Sequence, residues 1–163
     1  MKIALSEKIG YGLGDMSSSM FWKLFGAYLM IFYTDVFGIS AATVGTMFAI
    51  TRVWDSFFDP IVGAVADRTS SRWGRFRPYL LYLAVPFGAI GVLTFLTPPM
   101  HETGKIVYAF ITYGLMMMVY SAINVPYASL LGVMSPDPAH RNTLATYRMT
   151  FAYLGSLVAL LLF

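Results

Sequence analysis

Apolar positions in this chain gather into long runs separated by short polar breaks. A helix that crosses a bilayer needs about 20 mostly apolar residues, each rising about 1.5 Å. Five runs approach or exceed that length, at about 10–37, 41–66, 78–96, 106–134 and 142–163. They predict an all-α, polytopic transmembrane helix bundle. Gly38-Ile39-Ser40 separates the first two runs, and Pro98-Pro99 lies between the third and fourth. Ser135-Pro136-Asp137-Pro138 opens the last break, where proline cannot continue a helix. The final run reaches Phe163 without the polar or aromatic flank that normally anchors a span, so a truncated chain is expected.

Composition agrees with a lipid solvent. Hydrophobic residues make up 58% of the chain and charged residues 12%, against about 25% charged in an average soluble domain. With no cysteine there is no disulfide framework and no thiolate metal site. Gly10-Tyr-Gly12-Leu-Gly14 follows no strand, so it reads as close helix packing through small residues and not as a phosphate loop. No nucleophile–base pair or metal-ligand cluster stands out, so an enzyme and a bound cofactor are not expected. The net charge of +3 reflects topology instead of nucleic-acid binding, because Arg68, Arg72, Arg75 and Arg77 crowd one short loop. If the spans alternate, that loop shares a side with Lys2, Lys8 and Arg141, opposite Asp35, His101, Glu102 and Lys105. The positive-inside rule then puts the N-terminus in the cytoplasm of a cell with the chain in its inner membrane.

Six ionisable residues fall inside the predicted spans: Asp15, Lys23, Arg52, Asp55, Asp59 and Arg148. Each costs about 2.5–3.5 kcal/mol at the centre of a bilayer, so such residues mark a substrate or ion path, or else pair to hold helices together. Arg52, Asp55 and Asp59 follow one another at i, i+3 and i+7, along one helical face. Two carboxylates one turn apart in a low dielectric require a cation, be it Na⁺, a shared proton or a basic side chain. Oxygen donors suit an alkali ion better than a soft metal. Asp15, Ser19 and Lys23 share a face of the first run, and Tyr120, Asn124 and Tyr127 form a polar stripe broken by Pro126. With Tyr147 and Arg148 these residues combine aromatic, amide, carboxylate and guanidinium groups, as a site for a sugar requires.

Gly63-x-x-x-Asp67-Arg68-x-x-x-Arg72-x-Gly74-Arg75-x-Arg77 resembles the signature between the second and third spans of the major facilitator superfamily. The resemblance implies a cytoplasmic gate motif and a partner C-terminal half beyond Phe163. Tyr11-Gly-Leu-Gly-Asp15, Tyr33-Thr-Asp-Val-Phe-Gly38, Arg52-Val-Trp-Asp-Ser-Phe-Phe-Asp-Pro60, Arg72-Trp-Gly-Arg-Phe-Arg-Pro78 and Asn124-Val-Pro-Tyr127 are similar to the glycoside–pentoside–hexuronide:cation symporters, the family of melibiose permease. That resemblance implies cation-coupled symport of a sugar or glycoside by alternating access. It implies a cation set of Asp55, Asp59, Ser121 and Asn124, and a substrate set of Asp15, Ser19, Lys23, Asn124, Tyr127 and Arg148. Melibiose permease has Lys-Asp where this chain has Ser18-Ser19, Asn where it has Phe58, Asp where it has Asn124 and Trp where it has Ala128. Those departures, and the matching depth of Lys23 and Asp55 in neighbouring spans, favour H⁺ coupling or cation-independent transport with Lys23 paired to Asp55. The competing arrangement gives Asp55 to Arg52 and leaves Asp59 for Na⁺. A lysolipid carrier of the same superfamily and a non-transporting membrane fragment are the alternative functions.

Overall fold

A computed structural model describes residues 4–162. Lys2 and Phe163, used above for topology and for the chain end, lie outside the described residues. The described chain is all helical: α1 (Leu5–Leu24), two π-helical segments π1 (Phe25–Leu29) and π2 (Phe32–Val36), α2 (Ala41–Arg68), α3 (Arg77–Thr94), α4 (Glu102–Met134) and α5 (Pro138–Leu162). The widened turns after Leu24 change which side chains share a face, a change that apolar periodicity does not encode.

Local chemistry sets the ends. Gly38 has φ +78, which favours glycine, and Ser40 caps α2 by accepting the Thr43 N–H at 3.2 Å. The fifth helix begins four residues before the expected Asn142. Asp137 Oδ1 accepts the Ala139 N–H at 2.9 Å, and Pro138 occupies the first helical position, where its missing N–H costs nothing. Pro136 follows the end of α4, and Pro138 opens α5. By length and composition α3, α4 and α5 can each cross a membrane. The 28 residues of α2 span about 42 Å, and Arg52, Asp55, Asp59, Asp67 and Arg68 lower its hydropathy.

The chain forms two compact units, one of residues up to Leu29 together with Ser129 onward, the other Met30–Ala128. In the first, α1 and α5 lie side by side and parallel. Lys8 Nζ sits 5.8 Å from the Tyr147 ring centroid, Gly12 backs onto Phe151, and Gly155 backs onto Met16, so partners advance together in steps of four. A Cβ on Gly12 would come 2.6 Å from Phe151 Cδ2, and one on Gly155 would come 2.5 Å from the Met16 carbonyl oxygen. This is the close approach through small residues that the Gly10–Gly14 segment suggested, made by Gly12, whereas Gly10 meets nothing within 4 Å.

In the second unit, α4 is the central helix. Tyr108 Oη donates to the Leu93 carbonyl at 2.6 Å, Met116 reaches Gly91, and Phe87 packs on Tyr120, so α3 runs antiparallel to α4. Phe48 packs on Tyr113 with ring centroids 4.9 Å apart and Gly63 faces Val125, so α2 runs parallel to α4. Lys105 Nζ donates to the Phe37 carbonyl at 3.0 Å and lies 5.4 Å from its ring, tying the end of π2 to the first turn of α4. Outward faces are apolar, with Val85 and Leu161 each 77% exposed, as a lipid solvent requires.

The glycine contacts generate a test. Gly155→Val places a branched side chain against the α1 backbone and should destabilise the first unit by about 1–3 kcal/mol. Gly10→Ala, in open space, should cost nothing measurable or stabilise the helix slightly. Unfolding in detergent followed by circular dichroism separates the two.

Candidate functional site

Acidic residues within the helices fall into two environments. On α2, Asp55 is buried at 9% exposure and Asp59 is half-buried. One oxygen of each carboxylate, Oδ1, is fully buried and has no hydrogen-bond partner among the described residues. Arg52, one turn before Asp55, and Asp59, one turn after it, both act electrostatically on Asp55. The buried Thr51 hydroxyl donates to its own helix, to the Met47 carbonyl at 2.8 Å. From the Gly63–Val125 contact, one turn back along both parallel helices brings Asp59 level with Ser121, which is buried. Buried acceptors without donors are costly, and a hard cation or proton bound there relieves the cost. The donors are all oxygens, the chemistry that suits an alkali ion or a proton. Phe58, half-buried between the two acids, adds no ligand.

On α1 the charge is answered. Arg148 Nε of α5 lies 3.2 Å from Asp15 Oδ1, an ion pair with side-chain exposures of 28% and 14%. Tyr11, buried one turn before Asp15, lies beside the same guanidinium. The pair joins α1 to α5 across the interface that Gly12 and Gly155 bring close. Ser19 is half-buried on α1 and Lys23 is exposed near its end.

Of the expected substrate set, the structure brings Asp15 and Arg148 into direct contact. Asp15, Ser19, Lys23 and Arg148 belong to the first unit, and Asn124 and Tyr127 belong to the second. There Asn124 is half-buried and Tyr127 is buried, on either side of Pro126 in α4. All four expected cation residues, Asp55, Asp59, Ser121 and Asn124, lie in the second unit, whereas Lys23 and Asp55 fall in different units. Sequence reasoning did not single out Tyr113, which is buried at 5% exposure. Tyr113 lies within the electrostatic reach of Arg52 and Asp55. Its only signal was a tyrosine on the helix that also carries Asn124.

The segment from Asp67 to Arg77 is a tight polar turn. Arg75 Nη1 lies 3.9 Å from Asp67 Oδ1, and both side chains are more than half exposed. Ser71 Oγ donates to the Gly74 carbonyl at 2.6 Å and accepts the Trp73 N–H at 3.2 Å. Gly74 holds φ +95, a conformation that a side chain would strain, which explains glycine at this place in the motif. Arg68, Arg72 and Arg77 are exposed, and Gly63 packs against Val125.

The described chain is a set of helices, three of them long and apolar enough to cross a membrane, with acids inside them, and comparison with known proteins identifies its family. Residues 10–163 match the family of MFS/sugar transport proteins. The chain belongs to this family, the glycoside–pentoside–hexuronide:cation symporters of the major facilitator superfamily, whose members are transporters and not enzymes. It is 45% identical over 160 residues to the inner membrane symporter YicJ of Escherichia coli (strain K12), covering 98% of this chain and 35% of that protein. YagG of the same organism, which carries a provisional name as a glycoside/cation symporter, is 47% identical over 156 residues, 96% of this chain and 34% of YagG. The isoprimeverose transporter of Lactiplantibacillus pentosus is 43% identical over 153 residues, 94% of this chain and 32% of the transporter. The chain thus spans about a third of the length of these relatives.

The ion pair predicts a double-mutant cycle. Asp15→Asn and Arg148→Gln should each destabilise the α1–α5 packing, and the double variant should recover part of the loss. The coupling energy should be about 1–3 kcal/mol from unfolding in detergent.

Proposed function

We propose that this chain is the N-terminal part of a cation-coupled symporter that carries a sugar or glycoside across the inner membrane by alternating access. The observation that carries the reading is the pair of buried, unpartnered carboxylate oxygens on α2, in a chain whose family is one of symporters. Asp55 and Asp59 hold the coupling cation, H⁺ or Na⁺, with Ser121 and Asn124 contributing from α4. Asp15, Ser19, Lys23, Asn124, Tyr127 and Arg148 serve the sugar. Arg148 is held by Asp15 in the described state, so a hydroxylated substrate competes for a guanidinium already oriented by a carboxylate. Binding energy is then available to shift the α1–α5 contact, and a coupled cycle needs such a differential interaction. Gly63, Asp67, Arg68, Arg72, Gly74, Arg75 and Arg77 act as the cytoplasmic gate, with the N-terminus in the cytoplasm. The chemistry of the relatives supports the sugar class, since one is named for isoprimeverose transport.

The test uses the whole transporter of which this chain is part, in membrane vesicles. Asp59→Asn should abolish uphill accumulation of a labelled glycoside, so that internal label stops at the external concentration, while exchange down a gradient persists. Titrating Na⁺ at fixed pH, and pH without Na⁺, identifies the ion. Uphill accumulation unchanged in both Asp55→Asn and Asp59→Asn would defeat the assignment.

A further inference from the structure

The basic turn ahead of α3 carries more charge than its own structure uses. Between residues 60 and 101 the sequence has four arginines, Arg68, Arg72, Arg75 and Arg77, and a single acid, Asp67. Asp67 lies beside Arg75. Among the described residues no acidic side chain pairs with Arg68, Arg72 or Arg77. Arg72 lies instead over the Trp73 indole, with its guanidinium carbon 4.3 Å from the ring centroid. The Trp73 ring is 5.9 Å from that of Tyr82, which lies within α3. Trp73 is 38% exposed and Tyr82 65%.

From that aromatic pair an open apolar stripe continues along α3. Leu81, Val85 and Val92 are 60%, 77% and 65% exposed, and their spacing of four and seven residues keeps them on one face with Gly88. α3 is apolar and long enough to cross the membrane, and little of it is buried. The order along this surface is therefore cation, interfacial aromatics, then hydrocarbon-compatible side chains. A phospholipid presents the complementary order of phosphodiester, glycerol–ester region and acyl chain.

We propose that this surface is a docking site for an anionic phospholipid. Its phosphate sits against Arg72 and Arg77, its glycerol region lies on Trp73 and Tyr82, and one acyl chain lies along Leu81, Val85 and Val92. Charge complementarity selects the lipid: a guanidinium fork matches phosphate oxygens, and a lipid with net negative charge gains from the unbalanced arginines where a zwitterionic lipid does not. Asp67 and Arg75 lie outside the site, which is why the lipid does not need to break their contact. The inference depends on α3 crossing a bilayer and not on transport.

Trp73 is a built-in reporter. The chain is purified with Trp22→Phe and Trp54→Phe, leaving Trp73 as its one indole, and reconstituted in phosphatidylcholine vesicles. Acyl-brominated phosphatidylglycerol or phosphatidylcholine is then added at equal mole fraction. The phosphatidylglycerol should quench Trp73 more strongly, and the difference should shrink with added salt. Arg72→Gln and Arg77→Gln should each lower the phosphatidylglycerol preference roughly fivefold. Equal quenching by the two lipids in the parent chain would overturn the proposal without the help of any variant. An undiminished preference in the Arg72→Gln, Arg77→Gln double variant would also overturn it. Neither result bears on sugar uptake, so the two proposals fail separately.

Discussion

A charge placed in an apolar helix must be answered by another charge, by hydrogen bonds or by a bound ion, and the rest of this structure is arranged around how that requirement is met. On α1 it is met internally. Asp15 reaches Arg148 at 3.2 Å because Gly12 and Gly155 let two parallel helices approach to where no side chain would fit between them. The glycines and the ion pair are one device: without the close approach the pair is out of reach, and without the pair the interface holds two unanswered charges.

On α2 the requirement is met only in part: Arg52 acts on Asp55 from one turn away, but one oxygen of each acid has no hydrogen bond. Asp55 and Asp59 sit one turn apart with a buried oxygen each, and Phe58 between them supplies nothing polar. Thr51, one turn before Asp55, is bonded to its own backbone. A protein selected for stability alone would have little use for two such carboxylates, since a well-packed apolar residue is cheaper than a buried unpaired acceptor. In the proposed symporter the Asp15–Arg148 contact is the one a substrate exchanges, and the Asp55–Asp59 pair is the one an ion completes.

Asp55 and Asp59 both lie in the second unit. α4 is braced on α3 by Tyr108, Met116 and Tyr120 and on α2 by Tyr113 and Val125. Lys105 fastens the end of π2 to the start of α4 through the Phe37 carbonyl. Polar contacts concentrate at the helix ends and packing contacts in the middle, as expected where the surroundings cannot drive helices together by the hydrophobic effect.

The number and order of the helices, the lipid-facing composition, the family and the face shared by Arg52, Asp55 and Asp59 were legible in the sequence. They rest on local quantities: length of apolar run, residue spacing on a helix, and prolines and glycines at breaks. Even there, the capping pair Asp137 and Pro138 moved the start of α5 by four residues, because a proline that cannot continue a helix is well suited to begin one. The π-helical turns after Leu24 were not legible, since apolar periodicity does not report a change in hydrogen-bond register. Only the tertiary structure decided which charges meet. Asp15 and Arg148 lie 133 positions apart, and nothing local to either names the other. Their contact follows from the parallel α1–α5 register, which depends on where Gly12, Met16, Phe151 and Gly155 come together. Asp55 and Asp59 were recognisable as a pair because one helix carries both. That one oxygen of each lies buried without a hydrogen bond depends on what packs alongside, which no stretch of α2 contains.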